Sequence, residues 1–369
     1  MSGSQVTTMV TTPLELRRND YSLSAEESAV AELFSAFFRQ ECPTTQVRAA
    51  EPLGYDEALW KRLAEVGALS MAIPSDHGGD GASFVELVLM AEQAGTYLAP
   101  VPLIETVCAL RMLSRAGSGA HLGTLLSDIA AGETLSGVAL GRWEPGIRQL
   151  VPGGAVARAV VGVDADDVVL VEADEPPPHA ANLGSAPLAW WSPAADRTAR
   201  FPVAMDSDPA SVLREANLEW KLLTAAALNG LAGGALDLGV GYAKQRPAWG
   251  TLIGAYQAVS HPLVDAAIAA EGSTRLTRKA AWFWDHERER AAPLVVRAFR
   301  YAVDASCRAA TVALHVHGGF GVTLEADIQL FFRRAKGWPM IGGAAHDDYL
   351  YLADLERATG DQSSAGRAG

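Results

Sequence analysis

One stretch of strand-like alternation, set between two longer stretches of helical periodicity, constrains this chain most. From Leu135 to about Val203 short apolar runs (LSGVALG, AVARAVVGV, DDVVLVEA and RTARFPV) alternate with turn residues. They are rich in valine, whose β-branched side chain suits a pleated surface. Pro176, Pro177 and Pro178 fall between two of them, where a missing N–H interrupts no ladder. The segment predicts a small β unit of about 70 residues with helices on either side.

On the N-terminal side, LSAEESAVAELFSAFFRQECP places Val30, Leu33, Phe34 and Phe37 at i, i+3, i+4 and i+7, the spacing of one helix face. Ser24 with Glu27 three residues later reads as a capping box opening that helix. Tyr55-Asp56 opens a second helix through Leu63, and PSDHGGDG at 74–81 is a loop. Residues 85–98 form another helix, and 102–130 supply one or two more before Gly132. On the C-terminal side the helical period runs from Leu218 to Leu355. Leu222, Leu223, Ala226, Ala227, Gly230, Leu231 and Gly234 form a stripe with small residues at four-residue steps, which lets helix backbones approach closely. Further helices are expected at 257–287, 292–315 and 323–337, enough for a bundle. The predicted fold is mainly α with a small β domain. Its parts are a flexible leader (1–21), an all-α unit (22–134), the β unit (135–208), a helix bundle (209–356) and a disordered tail (357–369).

Composition excludes several function classes. With 30 Lys and Arg against 43 Asp and Glu the net charge is −13, so no basic face for nucleic-acid phosphates is implied. Cys42, Cys108 and Cys307 are far apart and form no CxxC, which predicts neither a zinc site nor a disulfide framework and suits a reducing compartment. No metal site is expected. No uninterrupted apolar stretch approaches the roughly 18–20 residues of a membrane span, and MSGSQVTTMVTTPLELRRND has no apolar h-region. The expected location is cytoplasmic.

Two short constellations carry candidate chemistry. Arg246-Pro-Ala-Trp249-Gly250, then Gly254 and Gln257, follow a helix. The glycines allow a tight turn, Arg246 offers a planar fork suited to a pyrophosphate, Trp249 an aromatic face, and Gln257 a reader for an adenine or ribose edge. His317-Gly318-Gly319-Phe-Gly321, then Thr323 and Glu325, lie at a second helix end, where closely spaced glycines admit a ligand at backbone level. An ordinary helix–helix turn with a surface arginine, and a plain C-cap, account for the same residues. A third run, FFRRAK at 331–336, reads by itself as a helix end whose cations suit the dipole.

In this order the segments resemble the acyl-CoA dehydrogenases, a family with an all-α N-terminal domain, a middle β domain and a C-terminal four-helix bundle. GYDEALW at 54–60, LAEVG at 63–67, the stretch from Ala72-Ile-Pro74 through Gly81, Ala91-Glu92 and APVP at 99–102 resemble the first domain. The RxxWG…IG…Q and HGGFGxTxE runs resemble the C-terminal signatures, and the likeness covers about 22–356. It implies FAD as cofactor and an acyl-CoA thioester as substrate. It also implies that Arg246, Trp249, Gly250 and Gln257 hold the FAD diphosphate and adenosine, with His315, His317, Gly318 and Gly319 approaching the same cofactor.

The departures are as informative. The family's catalytic glutamate follows the arginine of an R-D-A-K-type motif by nine residues; here RRAK leads to Gly342, Gly343 and Ala344, and glycine cannot act as a base. A second family position for the base lands on Trp220, beside Glu219, and one residue turns a helix face by about 100°. An acid favouring the helix dipole is the plainer reading of Glu219. The flavin-facing loop keeps Glu144-Pro145-Gly146 and loses its Gly-Ser-Asp, and a glutamine expected before His317 is His315; Trp190 and Trp191 are available to shield a flavin face or to pack the sheet. This pattern resembles the smaller subunit of actinobacterial α2β2 acyl-CoA dehydrogenases, which implies a subunit that completes the FAD site of a partner carrying the base. Two alternatives stand beside it. One is a self-sufficient homo-oligomer using Glu219 or Asp347. The other is a repurposed fold without flavin, for which His346, His77 and His261 are nominal acid–base groups.

Overall fold

The structure, a computed structural model, describes residues 20–116, 120–144, 146–193, 198–203 and 208–365. Most of the expected leader, 1–19, and Pro145 of the Glu-Pro-Gly loop lie outside the described residues. The N-terminal part is helical: α1 (Ala25–Glu41), α2 (Thr44–Ala49), α3 (Glu57–Glu65), α4 (Phe84–Thr96), α5 (Leu103–Ser114) and α6 (Ala120–Ala130). Local sequence writes the starts of three of them. Ser24 and Glu27 close a reciprocal capping box on α1, Ser83 and Glu86 another on α4, and the Asp56 carboxylate accepts from Leu59 N–H at the start of α3. Each satisfies amides that a helix start leaves unpaired. Helix α2, unanticipated, has only six residues, too few for periodicity to register.

Among the described residues six strands follow: β1 (Ser136–Arg142), β2 (Gln149–Val151), β3 (Ala159–Val163), β4 (Asp167–Glu172), β5 (Ala189–Trp191) and β6 (Thr198–Pro202). The main sheet has the order β1-β3-β4-β6; β1 runs parallel to β3 and the other neighbours are antiparallel. These four are the valine-rich runs of the sequence. Strands β2 and β5 pair separately and were not anticipated, each being three residues long. Period-two geometry divides β3 between two cores: Ala159, Val161 and Val163 join the main core, whereas Val160 packs with Trp143, Val151 and Trp191.

The C-terminal part holds α7 (Pro209–Ala243), a hairpin of β7 (Pro247–Ala248) and β8 (Thr251–Leu252), α8 (Gln257–His286), α9 (Arg288–His317), α10 (Ile328–Gly337) and α11 (Ala345–Ala365). The small-residue stripe of α7 meets α4. A Cβ on Gly230 would lie 1.8 Å from Glu92 O, and one on Gly95 of α4 would lie 1.9 Å from Ala227 O. The two backbones therefore touch, which locks the first helical unit to the bundle. Helix α7 is long and apolar enough, by length and composition alone, to cross a membrane, with a mean hydropathy of 1.3 over 18 residues. Polar residues interrupt the stretch, so it is not an unbroken apolar run, and 72% of it is buried inside the protein. Helix α10 begins at Ile328 and not at 323, because the preceding glycines favour a 3-10 turn over 318–322. Helix α11 continues past Glu356, where the sequence reading placed an irregular tail, since no glycine or proline interrupts 345–359.

Candidate functional site

The first constellation assembles at the C-terminal end of α7. The backbone turns back through the β7–β8 hairpin, whose central residues Trp249 and Gly250 both have positive φ (+47° and +84°), as a tight hairpin turn requires. The amide of Ile253 donates to Arg246 O at 2.9 Å, and the Tyr256 hydroxyl donates to Ala248 O at 3.2 Å, so the tip is held from below. Trp249 stands almost wholly in solvent, 93% exposed, edge-on to Tyr256. Arg246 and Gln257 are exposed, and the Arg246 guanidinium has no ion-pair partner among the described residues.

Tertiary structure joins the second constellation to the first. His317, at the end of α9, stacks on Tyr242 of α7 with ring centroids 4.4 Å apart. Tyr242 O in turn accepts from the Arg246 amide at 2.9 Å. The carbonyl of Ala313 can only accept, so its 2.7 Å contact with His317 Nδ1 assigns the proton there and leaves Nε2 outward. Gly318 has φ +62°, and a Cβ on Gly318 or Gly319 would meet no atom within 4 Å. His315 is exposed beside them. One corner thus combines an unpaired guanidinium, an open indole face and accessible glycine backbone. That donor set fits the diphosphate and adenosine half of FAD. It lies on the surface, with Phe320, Val322 and Leu324 exposed around it.

The base positions differ in kind. A Cβ on Gly342 would lie 2.6 Å from Trp220 Cζ3 and 3.2 Å from Phe299 Cζ. The indole of Trp220, 2% exposed and edge-on to Phe299, fills the space a carboxylate would need. Both positions at which the sequence search sought a base therefore belong to one packed contact.

Glu219 is a hub of charge and does not sit at a helix start: it lies inside α7, fully buried, ten residues after Pro209. Arg111 Nε donates to Oε1 at 2.8 Å and Arg115 Nη1 to Oε2 at 3.0 Å. Burial alone would raise its pKa, but the charges and hydrogen bonds of Arg111 and Arg115 outweigh that and hold it near 2. Arg115 and Arg288 continue the network to Glu215. A carboxylate so held is a poor base at neutral pH.

Other candidates scatter. Asp347 is exposed in the first turn of α11 and borders a cleft of about 360 Å³ with Arg142, Arg214 and Lys221, across which Lys221 and Arg300 bind the buried Asp348. His346, His77 and His261 lie on three different elements and share no site. Of the two tryptophans offered as a flavin shield, Trp191 is core and donates to Gly154 O at 3.0 Å, while Trp190 is exposed beneath the Arg148 guanidinium. Among the described residues no cluster of His, Cys, Asp and Glu has the makings of a metal site. Two features escaped sequence reading. Tyr242 supports His317, and Glu105 is a half-buried carboxyl whose only signal was a lone charge in the apolar run LIETVCAL.

Comparison with known proteins places these observations. The family profile described as "Acyl-CoA dehydrogenase, N-terminal domain" matches residues 24–133, and "Acyl-CoA dehydrogenase, C-terminal domain" matches 213–346. The chain is similar to acyl-CoA dehydrogenase IpdE2 of Mycolicibacterium smegmatis, 28% identical over 89% of this chain and 98% of that one. It is 30% identical to acyl-CoA dehydrogenase FadE27 of Mycobacterium tuberculosis, over 79% and 86%. Its fold superposes on a chain of the ChsE4–ChsE5 complex of Mycobacterium tuberculosis with a TM-score of 0.81 and 25% identity, covering 91% and 98%.

Proposed function

The chain belongs to the acyl-CoA dehydrogenase family, whose members depend on FAD, and from that premise we propose that it is a base-deficient subunit completing the FAD site of a catalytic partner. One observation carries the reading: the position expected to hold the base is packed over by Trp220, whereas the corner expected to hold the diphosphate stays open and unpaired. FAD, when bound, supplies the two-electron oxidation by which an acyl-CoA thioester is dehydrogenated between its α and β carbons. Arg246 would neutralise the diphosphate, with Trp249, Gly250 and Gln257 beside the adenosine. His315, His317, Gly318 and Gly319 would close the backbone side of that half-site. The carboxylate that takes the α-proton would come from the partner, which would also bind the thioester. A second acyl-CoA dehydrogenase-like chain in an α2β2 assembly is the partner this reading implies, and the complex of two related chains among the structural relatives supports it. The same reading takes 22–134, 135–208 and 209–356 as the three units, with the two family matches ending and beginning on either side of the middle one. It also places the protein in the cytoplasm, where its three free thiols suit a reducing environment.

The test is to purify the chain alone and with an acyl-CoA dehydrogenase-like neighbour, following flavin absorbance near 450 nm across a sizing column. Flavin confined to the co-purified complex, at about one per pair of subunits, is expected. Flavin and turnover in the lone chain would overturn the half-site in favour of a homo-oligomer. No flavin in either preparation would overturn it in favour of a fold put to non-redox use.

A further inference from the structure

The half-buried imidazole of His317 is held on three sides. Its ring stacks on Tyr242 of α7 with centroids 4.4 Å apart and planes inclined by 28°. The 3-10 turn over 318–322 closes on its stem, since a Cβ on the buried Gly321 would lie 2.9 Å from His317 Cβ and 2.8 Å from Leu314 O. One turn back on α9, Ala313 O takes the Nδ1 proton at 2.7 Å. That carbonyl is itself fixed: a Cβ on Gly239 of α7 would lie 2.9 Å from Ala313 Cβ, so the two helices meet closely there.

Which ring nitrogen of a histidine carries the proton is set by the hydrogen bond that the other atoms of its surroundings demand. A neutral imidazole has one N–H, so a proton committed to Ala313 O leaves Nε2 as an acceptor. Nε2 has no hydrogen-bond partner among the described residues. The corner around it therefore offers two unlike groups. The Arg246 guanidinium only donates and suits the diphosphate oxygens, which only accept. A lone pair on His317 Nε2 would oppose those oxygens. The complementary donors of a dinucleotide lie in its adenosine, in the two ribose hydroxyls and the adenine amino group.

We infer that Tyr242 is a positioning residue: together with Ala313 O it holds His317 as the Nδ1–H tautomer, whose Nε2 accepts from a ribose hydroxyl or the adenine amino group of FAD. This assignment rests on the half-site reading above and divides its labour, giving Arg246 the diphosphate and His317 the adenosine.

Full-length chain labelled with nitrogen-15 at its eight histidines reports the tautomer directly at pH 8.5, and His317→Phe identifies the signals. Before any nucleotide is added, His317 should carry its proton on Nδ1. Tyr242→Leu should populate the Nε2–H form, and Tyr242→Phe, which keeps the ring, should restore the wild-type pattern. ADP should then move the Nε2 signal saturably. Three analogues remove one donor each: 2′-deoxy-ADP, 3′-deoxy-ADP, and inosine diphosphate, in which a carbonyl replaces the amino group. One of them should bind about tenfold more weakly than ADP, as the loss of one hydrogen bond predicts, and so name the donor. His317→Phe should weaken ADP by the same factor and erase that discrimination. A wild-type Nε2–H tautomer overturns the inference, as do three analogues that all bind like ADP. If calorimetry shows ADP binding that Arg246→Ala weakens while the His317 signals stay still, the half-site reading stands and this inference falls. If ADP does not bind, the inference falls as well, and the flavin content of the co-purified complex still decides the half-site.

Discussion

Helix α7 carries two regions of opposite character. At its middle, Glu219 is fully buried with both carboxylate oxygens bound by guanidinium groups, and Trp220 is pressed against Gly342. At its end, Tyr242 supports His317, Arg246 has no acidic partner among the described residues and Trp249 stands in solvent. A side chain whose hydrogen bonds are already made has nothing left for a ligand; one that keeps its donors free can bind. The contrast teaches that charge and position in a motif do not make a functional group, because the deciding quantity is what the surrounding protein has already satisfied.

Breaking the buried half should have the largest effect. Glu219→Ala leaves Arg111 and Arg115 without their shared carboxylate and should cost about 3–5 kcal/mol in urea unfolding. Full stability with lost turnover would instead make Glu219 a functional acid. Next is the pH dependence of Glu105. Burial pushes its folded pKa up to about 7, above the unfolded value, so between about pH 4.3 and 7 the folded chain keeps a proton that the unfolded chain has released. Stability should therefore decline as pH rises through that window, by about 3 kcal/mol at most, and level off above it. Glu105→Gln should match the wild type near pH 4.5 and exceed it at pH 8; parallel curves would refute this. Glu219 acts in the opposite sense and in a separate window. Its lowered pKa contributes stability above about pH 4.3 that is lost as pH falls towards 2.

A smaller effect is expected from Gly342→Glu. Overpacking against Trp220 should cost about 1–3 kcal/mol, with no gain in dehydrogenase turnover in any assembly. Turnover appearing in that variant would show that the catalytic position lacks only its carboxylate. Smallest in stability are Arg246→Ala and Trp249→Ala, which touch exposed groups and should stay within about 0.5 kcal/mol. Their effect should appear as reduced flavin content of the co-purified complex, and a full flavin complement in both variants would remove this corner from the cofactor site.

Much of this was legible in the residues. Ser24 with Glu27 announced a helix start that the backbone realises, and the valine-rich runs became the four-stranded sheet. Gly230 in its stripe announced the close contact of α4 and α7. The misses share a cause. Strands of three residues carry too little pattern to see, and Trp190 and Trp191 look equivalent in sequence although strand alternation sends one outward and the other into the core. Glu219 read as a helix-start acid because its arginine partners lie more than 100 positions away, in α5 and at its C-terminal cap.

Sequence alone determined the order of helical and strand-like segments, the helix starts, the absence of a carboxylate at 342 and the identity of the residues at the corner proposed for FAD. Those properties depend on neighbours within a turn or two, or on the residue type itself. Only the tertiary structure decided that Trp220 fills the space beside Gly342, that Glu219 is neutralised by Arg111 and Arg115, and that His317 rests on the same helix end as Arg246. Burial, ion pairing and stacking act through space between residues far apart in the chain, so they acquire values only when the chain has folded.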